Sequence, residues 1–508
     1  MPLELSIHCG GRVVNYHVTM VDAFHHNLPL TDDVSLMTSL NGSANHPASY
    51  DAIPTQPLVD ATIRSYRRRW PVLVLLCGNV LLLNLNWVFF SPISDVVMCY
   101  YHKSNFWANA VSMCYMIAYV ILVGPAAWLL QRAGLRVCMI IATASIAIGA
   151  WIKFAGTDPQ YFWLIISGQL VASIANAIEW SAPSLFSSVW FPPHQRATVT
   201  AILGSACVQG GALLSYVLGT QIVHSDDTLA VCADNSTVTS DQYASWSNEI
   251  YHRLFYYQLG HSIFATLMFV VTLCAFPEAP PTAPSASKQL MNKMESSVGE
   301  WLRLVFSHVH FPMFVVAFSI NITVNSAIIV LLNEIVLFTF PGHQVDVGYM
   351  GAVVLLMGGV CVFIVGKCLD WTKTYYLSSV IICGLGVVSV ALFSAAVQFQ
   401  EHISVVYVAV ALLGATLTPF QGVAYEYAIE MTYPLPEGTS AGIMNMASQV
   451  LSIAVIVGMG VLISNRWVFA ANWMLTGLTF LCAVLIAFVR PDLKRQKLDY
   501  VKPDADHI

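Results

Sequence analysis

Two acidic residues, Glu179 and Glu334, stand inside long apolar runs of the chain. An ionised carboxylate at membrane depth is costly, so an acid in such a place is first considered for a function. Either residue would bind a cationic substrate or carry a proton. The alternative is a protonated or water-exposed acid that has a structural partner. We therefore treat both as candidate substrate-binding residues.

The composition explains why these two acids stand out. Of the 508 residues, 57% are hydrophobic and only 10% are charged, and the mean hydropathy is +0.66. A globular protein has about 25% charged residues, so the side chains here cannot cover a large water-facing surface. This excludes a soluble enzyme and a disordered scaffold. The net charge of −6 leaves little material for a basic face, so no nucleic-acid partner is predicted.

Twelve apolar runs are long enough to cross a lipid bilayer, which takes about 20 helical residues. They must be helices, because backbone amides in hydrocarbon have to be satisfied within the segment. We number the predicted helices 1 to 12 in chain order. They lie near 70–92, 107–130, 137–155, 160–186, 196–222, 251–276, 311–339, 346–368, 375–397, 403–429, 439–463 and 467–489.

The basic residues set the expected orientation. If the chain starts in the cytoplasm, 18 of the 22 lysines and arginines fall on the cytoplasmic side, and Lys103, Lys153, Arg253 and Arg466 make up the other four. Positive residues collect on the cytoplasmic side of membrane proteins, so both termini are predicted there. The sequon at Asn235 then lies in an outer loop, where it is available for glycosylation.

Cysteine usage predicts neither a metal site nor a cofactor. Most of the twelve cysteines lie in apolar runs without CxxC pairs, so they are interpreted as small buried hydrophobes. Cys99 and Cys232 both face the outer side in this orientation and are able to pair.

The longest cytoplasmic connection divides the chain into two similar halves. The loops at 127–136 and 366–373 repeat one pattern, and those at 191–196 and 433–438 repeat another. Parallel repeats of six helices around a central cavity are the predicted architecture of an all-α membrane protein with twelve transmembrane helices. The loops at 127–136 and 366–373 resemble, imperfectly, the loop pattern of the major facilitator superfamily, and this resemblance implies the superfamily's fold of two six-helix halves. The segments are a polar cytoplasmic tail 1–66, a first half 67–276, a linker 277–310 with an interfacial helix, a second half 311–490 and a cytoplasmic tail 491–508.

Six sequence strings in order carry a family resemblance over nearly the whole membrane portion. They are Met113-Cys114-Tyr115-Met116, the Trp128 to Arg136 loop, Gly149-Ala150-Trp151-Ile152-Lys153, Val189-Trp190-Phe191, the Leu369 to Tyr375 loop, and Glu430 to Gly442. The chain resembles the feline leukaemia virus subgroup C receptor-related family of the major facilitator superfamily. The resemblance implies an alternating-access carrier of choline, ethanolamine or related amines. It leaves two alternatives open, a haem transporter and a non-transporting receptor or regulator.

The resemblance also supplies candidate substrate contacts. Trp87 and Gln449 match the family's binding tryptophan and second-half glutamine. The first-half glutamine falls on Val208, with Gln209 one place along, and the helix 7 tyrosine falls on Ser326. Polar positions of the family are matched by Gln169 and Asn176. The alternatives are ordinary packing for the tryptophan and helix–helix hydrogen bonding for the two helix 4 amides.

A second group of charges collects at the expected cytoplasmic ends of the helices. Glu426 and Glu430 are four residues apart and share one helix face. We interpret them as part of an inner-gate ion network together with Arg132, Arg136, Arg196 and Asp370.

The first outer loop, Cys99-Tyr100-Tyr101-His102-Lys103, contains the residue types that bind haem, although an ordinary polar loop has the same composition. No hydrolase elbow, P-loop, dinucleotide fingerprint or metal spacing is found, so no enzymatic activity is predicted. We expect a monomer with a small-molecule substrate in the plasma membrane, with an endolysosomal membrane as the alternative.

Overall fold

The computed structural model describes residues 3–9, 12–18, 67–180, 182–191, 193–223, 240–277, 310–372, 374–399, 402–432 and 437–489. The chain divides into two compact units, 1–59 and 60–508. Asn235, the proposed interfacial helix and the C-terminal tail lie outside the described residues.

The N-terminal unit contains an antiparallel hairpin of β1 (Leu3–Cys9) and β2 (Arg12–Val18), with Leu3 opposite Val18 and Cys9 opposite Arg12. This hairpin lies in the segment predicted as a polar cytoplasmic tail and was not itself predicted. The signal is present in the sequence, since Gly10-Gly11 separates two runs with alternating apolar residues, a pattern typical of a two-residue hairpin.

The first half of the larger unit is built from nine helices among the described residues. Their bounds are α1 Arg69–Val88, α2 Ser94–Tyr100, α3 Asn105–Ala155, α4 Phe162–Ala172, α5 Ile174–Glu179, α6 Ala182–Trp190, α7 Pro193–Ala201, α8 Cys207–Val223 and α9 Ser240–Ala275. A 3₁₀ turn at Pro159–Tyr161 precedes α4, and a π-helical turn at Ile202–Ala206 joins α7 to α8.

The second half has six long helices. Their bounds are α10 His310–Thr339, α11 Gln344–Thr372, α12 Tyr375–Gln398, α13 Ile403–Thr432, α14 Glu437–Ser464 and α15 Val468–Phe488. Twelve segments of the described chain are long and apolar enough to cross a membrane, which confirms the predicted number of spans. The sixth differs most from its prediction, because α9 begins at Ser240 instead of near residue 251.

Predicted helices 2 and 3 run together as α3 and turn at Gly134. There the backbone has φ of +79°, a conformation that glycine adopts without steric cost. Predicted helix 4 is a series of shorter helices. Pro183 lies near the start of α6 and has no N–H to bond the carbonyl of Glu179, so the helix cannot run through this point unbroken.

Buried apolar clusters fill each half and also join them. The largest cluster is centred on α10 to α15 and includes Met113, Met116 and Tyr216 of the first half. Across the junction, α8 packs on α11 without intervening side chains at Gly348 and Gly351. A Cβ at these positions would overlap Thr220 and Tyr216, respectively. We call the membrane side that carries α2 and the α10–α11 turn the outer side, following the distribution of basic residues.

Candidate substrate site and outer gate

Trp87 lies near the end of α1, where the two halves face each other. Its half-buried side chain packs against the large second-half cluster and also against the first-half cluster around Tyr115 and Tyr119. The indole Nε1 is buried and has no hydrogen-bond partner among the described residues. An aromatic face at the junction of the halves, with an unused polar edge, suits a cationic organic solute.

Glu179 ends α5 and is only 4% exposed. Neither carboxylate oxygen has a hydrogen-bond partner within the described part of the chain. The carboxylate lies close enough to Tyr115 of α3 and Cys207 of α8 to interact electrostatically with both. A buried carboxylate without a partner is costly, so this position favours a cation or a proton as its missing partner.

Three further predicted contacts lie in helices at the junction of the halves. Gln209 on α8 is buried, and its Cβ would be 3.8 Å from a Cβ at Gly359 of the second half. Ser326 is buried in the middle of α10. Gln449 on α14 is half-buried and makes no hydrogen bond to the described residues. These positions stay predicted substrate contacts.

The two helix 4 amides are already used by the protein. Gln169 is fully buried, accepts from Lys153 Nζ at 3.1 Å and donates to the Asn86 carbonyl at 3.0 Å. Asn176 donates to the Tyr115 carbonyl at 3.1 Å, and its oxygen accepts from an indole on the next turn at 2.8 Å. The geometry is that of helix–helix hydrogen bonding, the alternative that the sequence left open.

Lys153 is a further functional candidate, which was not predicted from the sequence. It was counted with the basic residues of the outer side, yet it is 1% exposed and donates to the Asn86 and Gln169 side chains. Asn86 in turn donates to the Tyr115 hydroxyl at 2.7 Å. Gly168 makes room for the lysine stem, because a Cβ there would approach its Cγ to 2.6 Å. The available signal was a lysine near the end of an apolar run.

Glu334 connects the halves at their outer ends. Its Oε2 accepts from Asn105 at 2.6 Å and its Oε1 accepts from Asn109 at 2.8 Å, both on α3 of the first half. With 8% exposure and both oxygens bonded, this carboxylate joins the two halves, and we call its contacts and those of the neighbouring Asn333 the outer gate. The predicted role of Glu334 in substrate binding stays a prediction. The two asparagines were not singled out from the sequence, since polar residues at the rim of a membrane helix are common.

The residue before Glu334 adds a second contact between the halves. Asn333 donates to the Ser94 hydroxyl at 3.0 Å and to Asp95 Oδ1 at 2.9 Å, both on α2. The other oxygen of Asp95 accepts from Gln344, at the start of α11, at 3.4 Å. A hydrogen bond from the Tyr216 hydroxyl to the Ile329 carbonyl also crosses between the halves. Together these contacts join the two halves at the outer side.

The predicted inner-gate charges are described only in part. The Arg132 guanidinium is exposed and lies over the Trp128 ring at 5.4 Å, and Arg136 is half-buried. Glu430 is buried and Glu426 is exposed, and each has an interaction with other groups. The side chains of Arg196 and Asp370 lie outside the described residues. The ion network stays a prediction.

The side chains of the first outer loop, whose types are those that bind haem, already make contacts within the protein. Tyr100 and Tyr101 donate to the carbonyls of Thr157 and Gly156, each at 3.0 Å. Burial, helped by the nearby charge of Asp158, raises the pKa of Tyr100 and keeps its phenol neutral. Cys99 is in a disulfide, and the His102 ring bonds the Tyr243 hydroxyl at 3.0 Å. These contacts fix the outer loop and leave it poorly suited to bind haem iron.

Comparisons with known proteins identify the family. The family model of the Major Facilitator Superfamily matches residues 74–456. The choline/ethanolamine transporter FLVCR1 of Felis catus is 30% identical, with 85% of this chain and 74% of that protein covered. The choline/ethanolamine transporter flvcr2a of Danio rerio is 29% identical, with 86% of this chain and 89% of that protein covered. The choline/ethanolamine transporter FLVCR2 of Homo sapiens is 28% identical, with 86% of this chain and 80% of that protein covered.

Solved structures agree at the level of the fold. A D-xylose–proton symporter superposes with a TM-score of 0.63 at 16% identity, covering 84% of this chain and 98% of that one. A bacterial homologue of the lysosomal transporter Spinster, in an inward-facing conformation, gives 0.61 at 13% identity, with 86% and 99% covered. The predicted fold and family are thus confirmed: this multi-pass membrane chain belongs to the feline leukaemia virus subgroup C receptor-related family of the Major Facilitator Superfamily.

Proposed function

We propose that the protein is a solute carrier that moves a small amine such as choline or ethanolamine across a membrane by alternating access. The named activity of its relatives supports this substrate class. The observation that carries the proposal is the position of two side chains near Tyr115. Trp87, at the junction of the halves, packs on the cluster that contains Tyr115, and Glu179, a buried carboxylate without a hydrogen-bond partner in the described chain, interacts electrostatically with the same tyrosine.

The chemistry of an ammonium group fits these two side chains. A quaternary ammonium has charge but no N–H, so it is held by aromatic faces and negative charge instead of by hydrogen bonds. A primary ammonium adds three N–H donors, which the Glu179 oxygens accept. Both solutes carry a hydroxyl, and the half-buried amide of Gln449 offers it a hydrogen-bond partner.

The closed outer gate supports a cycle in which access alternates between the two sides. Opening to the outside requires that Glu334 part from Asn105 and Asn109 and that Asn333 part from Asp95. Each hydrogen bond to a carboxylate contributes about 1.5–3 kcal/mol, so the loss of these few bonds to water is small enough to be reversible. We expect the charges at the inner ends to form the opposing gate.

The remaining features of the proposal come from the sequence. The carrier acts as a monomer, performs no covalent chemistry, needs no cofactor and resides in the plasma membrane. Gln169 and Asn176 act by positioning helices next to the site. Asn235 carries a glycan if its loop faces the outside.

Uptake measurements test the proposal. Cells that express the protein are given labelled choline, ethanolamine and haem in parallel, and we expect accumulation of one or both amines above vector controls. Trp371→Ala is a matched control for tryptophan substitutions at the site, because Trp371 is 90% exposed at the end of α11. If none of the three solutes moves in any gradient, the protein is a receptor or regulator with a carrier's fold.

A further inference from the structure

The outer gate holds two acids that face each other across the halves. Glu334 on α10 is 8% exposed, and it interacts electrostatically with the half-buried Asp95 on α2. Among the described residues, only neutral amide side chains donate hydrogen bonds to these two carboxylates. The donors are Asn105, Asn109, Asn333 and Gln344. Two like charges therefore lie in a closed interface without an opposite charge.

The basic groups on neighbouring elements are directed elsewhere. The Lys103 ammonium lies over the rings of Phe162 and Trp163, at 5.7 and 5.6 Å. His343, at the turn before α11, bonds Asp346 at 2.6 Å, on the second half. Arg466, beyond the end of α14, is exposed.

Other titratable groups near the pair are also bonded elsewhere, and His102, just beyond α2, bonds the Tyr243 hydroxyl. Asp346 also accepts from Tyr407 at 2.9 Å, and Tyr100 and Tyr101 donate to backbone carbonyls of the first half. Within the described chain, no cation neutralises Asp95 and Glu334.

A second observation shows that the cluster lacks a donor. The Asn333 side chain is 1% exposed, and its Oδ1 is buried without a hydrogen-bond partner among the described residues, although its Nδ2 bonds Asp95. Buried acceptors are normally satisfied. One additional proton in this cluster supplies a donor and removes one of the two negative charges.

We propose that Asp95 and Glu334 form a proton-binding site, and that the halves close at their outer ends only when this pair holds a proton. The inference builds on the proposed carrier function and adds the coupling ion. The proton comes from water on the outer side and binds one carboxylate oxygen of the pair. Asparagine amides both donate and accept, so the amides around the acids can also bond the neutral form.

The direction of the pH effect follows from burial. In the closed gate, burial raises the pKa of Asp95 above its usual value, against the opposing hydrogen bonds from Asn333 and Gln344. The closed state therefore binds a proton more tightly than an open state in which the acids meet water. Closure is favoured at low outer pH and lost as the pH rises.

A first experiment follows the gate without any solute. An Ile329→Cys variant places a thiol in the buried cluster that joins the halves, at the residue whose carbonyl accepts from Tyr216; Ile329 is 5% exposed. The rate at which a membrane-impermeant thiol reagent labels this cysteine is measured from about pH 5.5 to about 8.5, the range in which carboxylic acids of raised pKa titrate. The chain without the added cysteine gives the background, and a small free thiol corrects for the change in thiolate fraction. The corrected labelling rate should rise with pH. In chains that also carry Glu334→Gln or Asp95→Asn, the rate should be low at every pH.

A second experiment follows coupling. Proteoliposomes with a fixed internal pH and a trapped pH dye take up labelled choline or ethanolamine while the outer pH varies. Entry should fall by up to tenfold for each pH unit once the pair has lost its proton, and it should acidify the lumen. Both acid variants should remove the pH dependence. Asp241→Asn, an exposed acid at the start of α9, is the matched control and should behave as wild type.

The outcomes separate the two proposals. Amine entry with the same rate at every outer pH, no lumen acidification and pH-independent labelling overturn the proton site and leave the carrier intact. If neither amine enters at any pH, the proposed function fails, whereas the labelling experiment still tests whether closure of the outer ends depends on pH. If one acid variant fails to fold, the other acid variant and the pH dependence of labelling without an acid substitution test the proton site.

Discussion

The Lys153 ammonium lies 3.1 Å from Oε1 of Gln169, in a site where the lysine side chain is 1% exposed. Its other partner is the Asn86 side chain, so the ammonium is bound by neutral amides. Because Asn86 precedes Trp87, this lysine fixes the part of α1 that presents the tryptophan. We therefore expect Lys153 to act as a positioning residue for the candidate site.

Replacing Lys153 by methionine tests this role. The substitution removes a costly buried charge but leaves two amide oxygens without donors, at about 1–3 kcal/mol each. We expect lower thermal stability in detergent and a higher KM for the amine. Lys153→Arg should restore part of the thermal stability and part of the affinity for the amine. Lys103→Met, at a half-buried outer position, should change neither the thermal stability nor the KM. An unaltered melting temperature would show that the amides find other partners.

Trp87→Ala should weaken binding of an ammonium solute. A desolvated cation–π contact contributes about 2 kcal/mol, which corresponds to roughly 30-fold in affinity. Trp87→Phe keeps an aromatic face and should lose less. Concentration-dependent uptake or binding of labelled choline gives the values. Wild-type affinity in Trp87→Ala, at normal surface expression, would contradict the assignment.

Glu179→Gln should separate affinity from stability. If the carboxylate binds the ammonium, its loss should lower affinity by about 2–3 kcal/mol, or roughly 30- to 150-fold. The solute-free protein should become more stable, because a buried charge without a partner is removed. An acid with a purely structural role predicts the opposite change in stability. Glu249→Gln, which alters a partly exposed acid next to Arg253, is the control for removing a carboxylate.

The spans and the family were predictable because they depend on local properties. Each run of apolar residues is long enough to specify a membrane helix by itself, and the loop motifs are read along a continuous segment. Gly134 fits this description, since its place in a short loop pattern indicated the turn that the structure shows. The breaks around Glu179 were less evident, because Pro183 alone does not tell whether a helix bends or is interrupted.

The outer gate was only half predictable for a physical reason. Glu334 drew attention as an acid in an apolar run, but its partners lie 225 and 229 residues away in the chain. Which amides meet this acid is decided by the packing of one half on the other, and no local pattern carries that information. Lys153 was misplaced in the same way, since its burial depends on Asn86 and Gln169 on two other helices.

The disulfide of Cys99 yields a prediction about its partner. Cys99 lies on the outer side, and Cys232, outside the described residues, is the only other cysteine in a predicted outer loop. We expect mass spectrometry of an unreduced digest to find these two cysteines joined. Cys232→Ser should leave Cys99 open to impermeant thiol reagents and lower stability by about 2–4 kcal/mol. A cross-link from Cys99 to any other cysteine would refute the orientation used here.

Gly351→Leu should prevent closure of the outer side. Even a Cβ at this position would overlap the Tyr216 ring, and the two residues belong to opposite halves. Overpacking of a close contact typically costs 1–3 kcal/mol, which is comparable to the few hydrogen bonds that hold the gate closed. The equilibrium between the outward-closed and the outward-open conformations should therefore shift toward the outward-open one. We expect faster labelling of Ile329→Cys from outside and slower net uptake.

The control for this change is Gly384→Leu on α12, where a Cβ meets nothing within 4 Å. It adds the same apolar volume in open space, so labelling and uptake should stay at wild-type levels. A Gly351→Leu protein that labels no faster than the control would mean that Tyr216 moves aside and that this contact does not limit closure. Faster labelling in Gly351→Leu alone would show that the absence of a side chain at residue 351 is what allows α8 and α11 to meet.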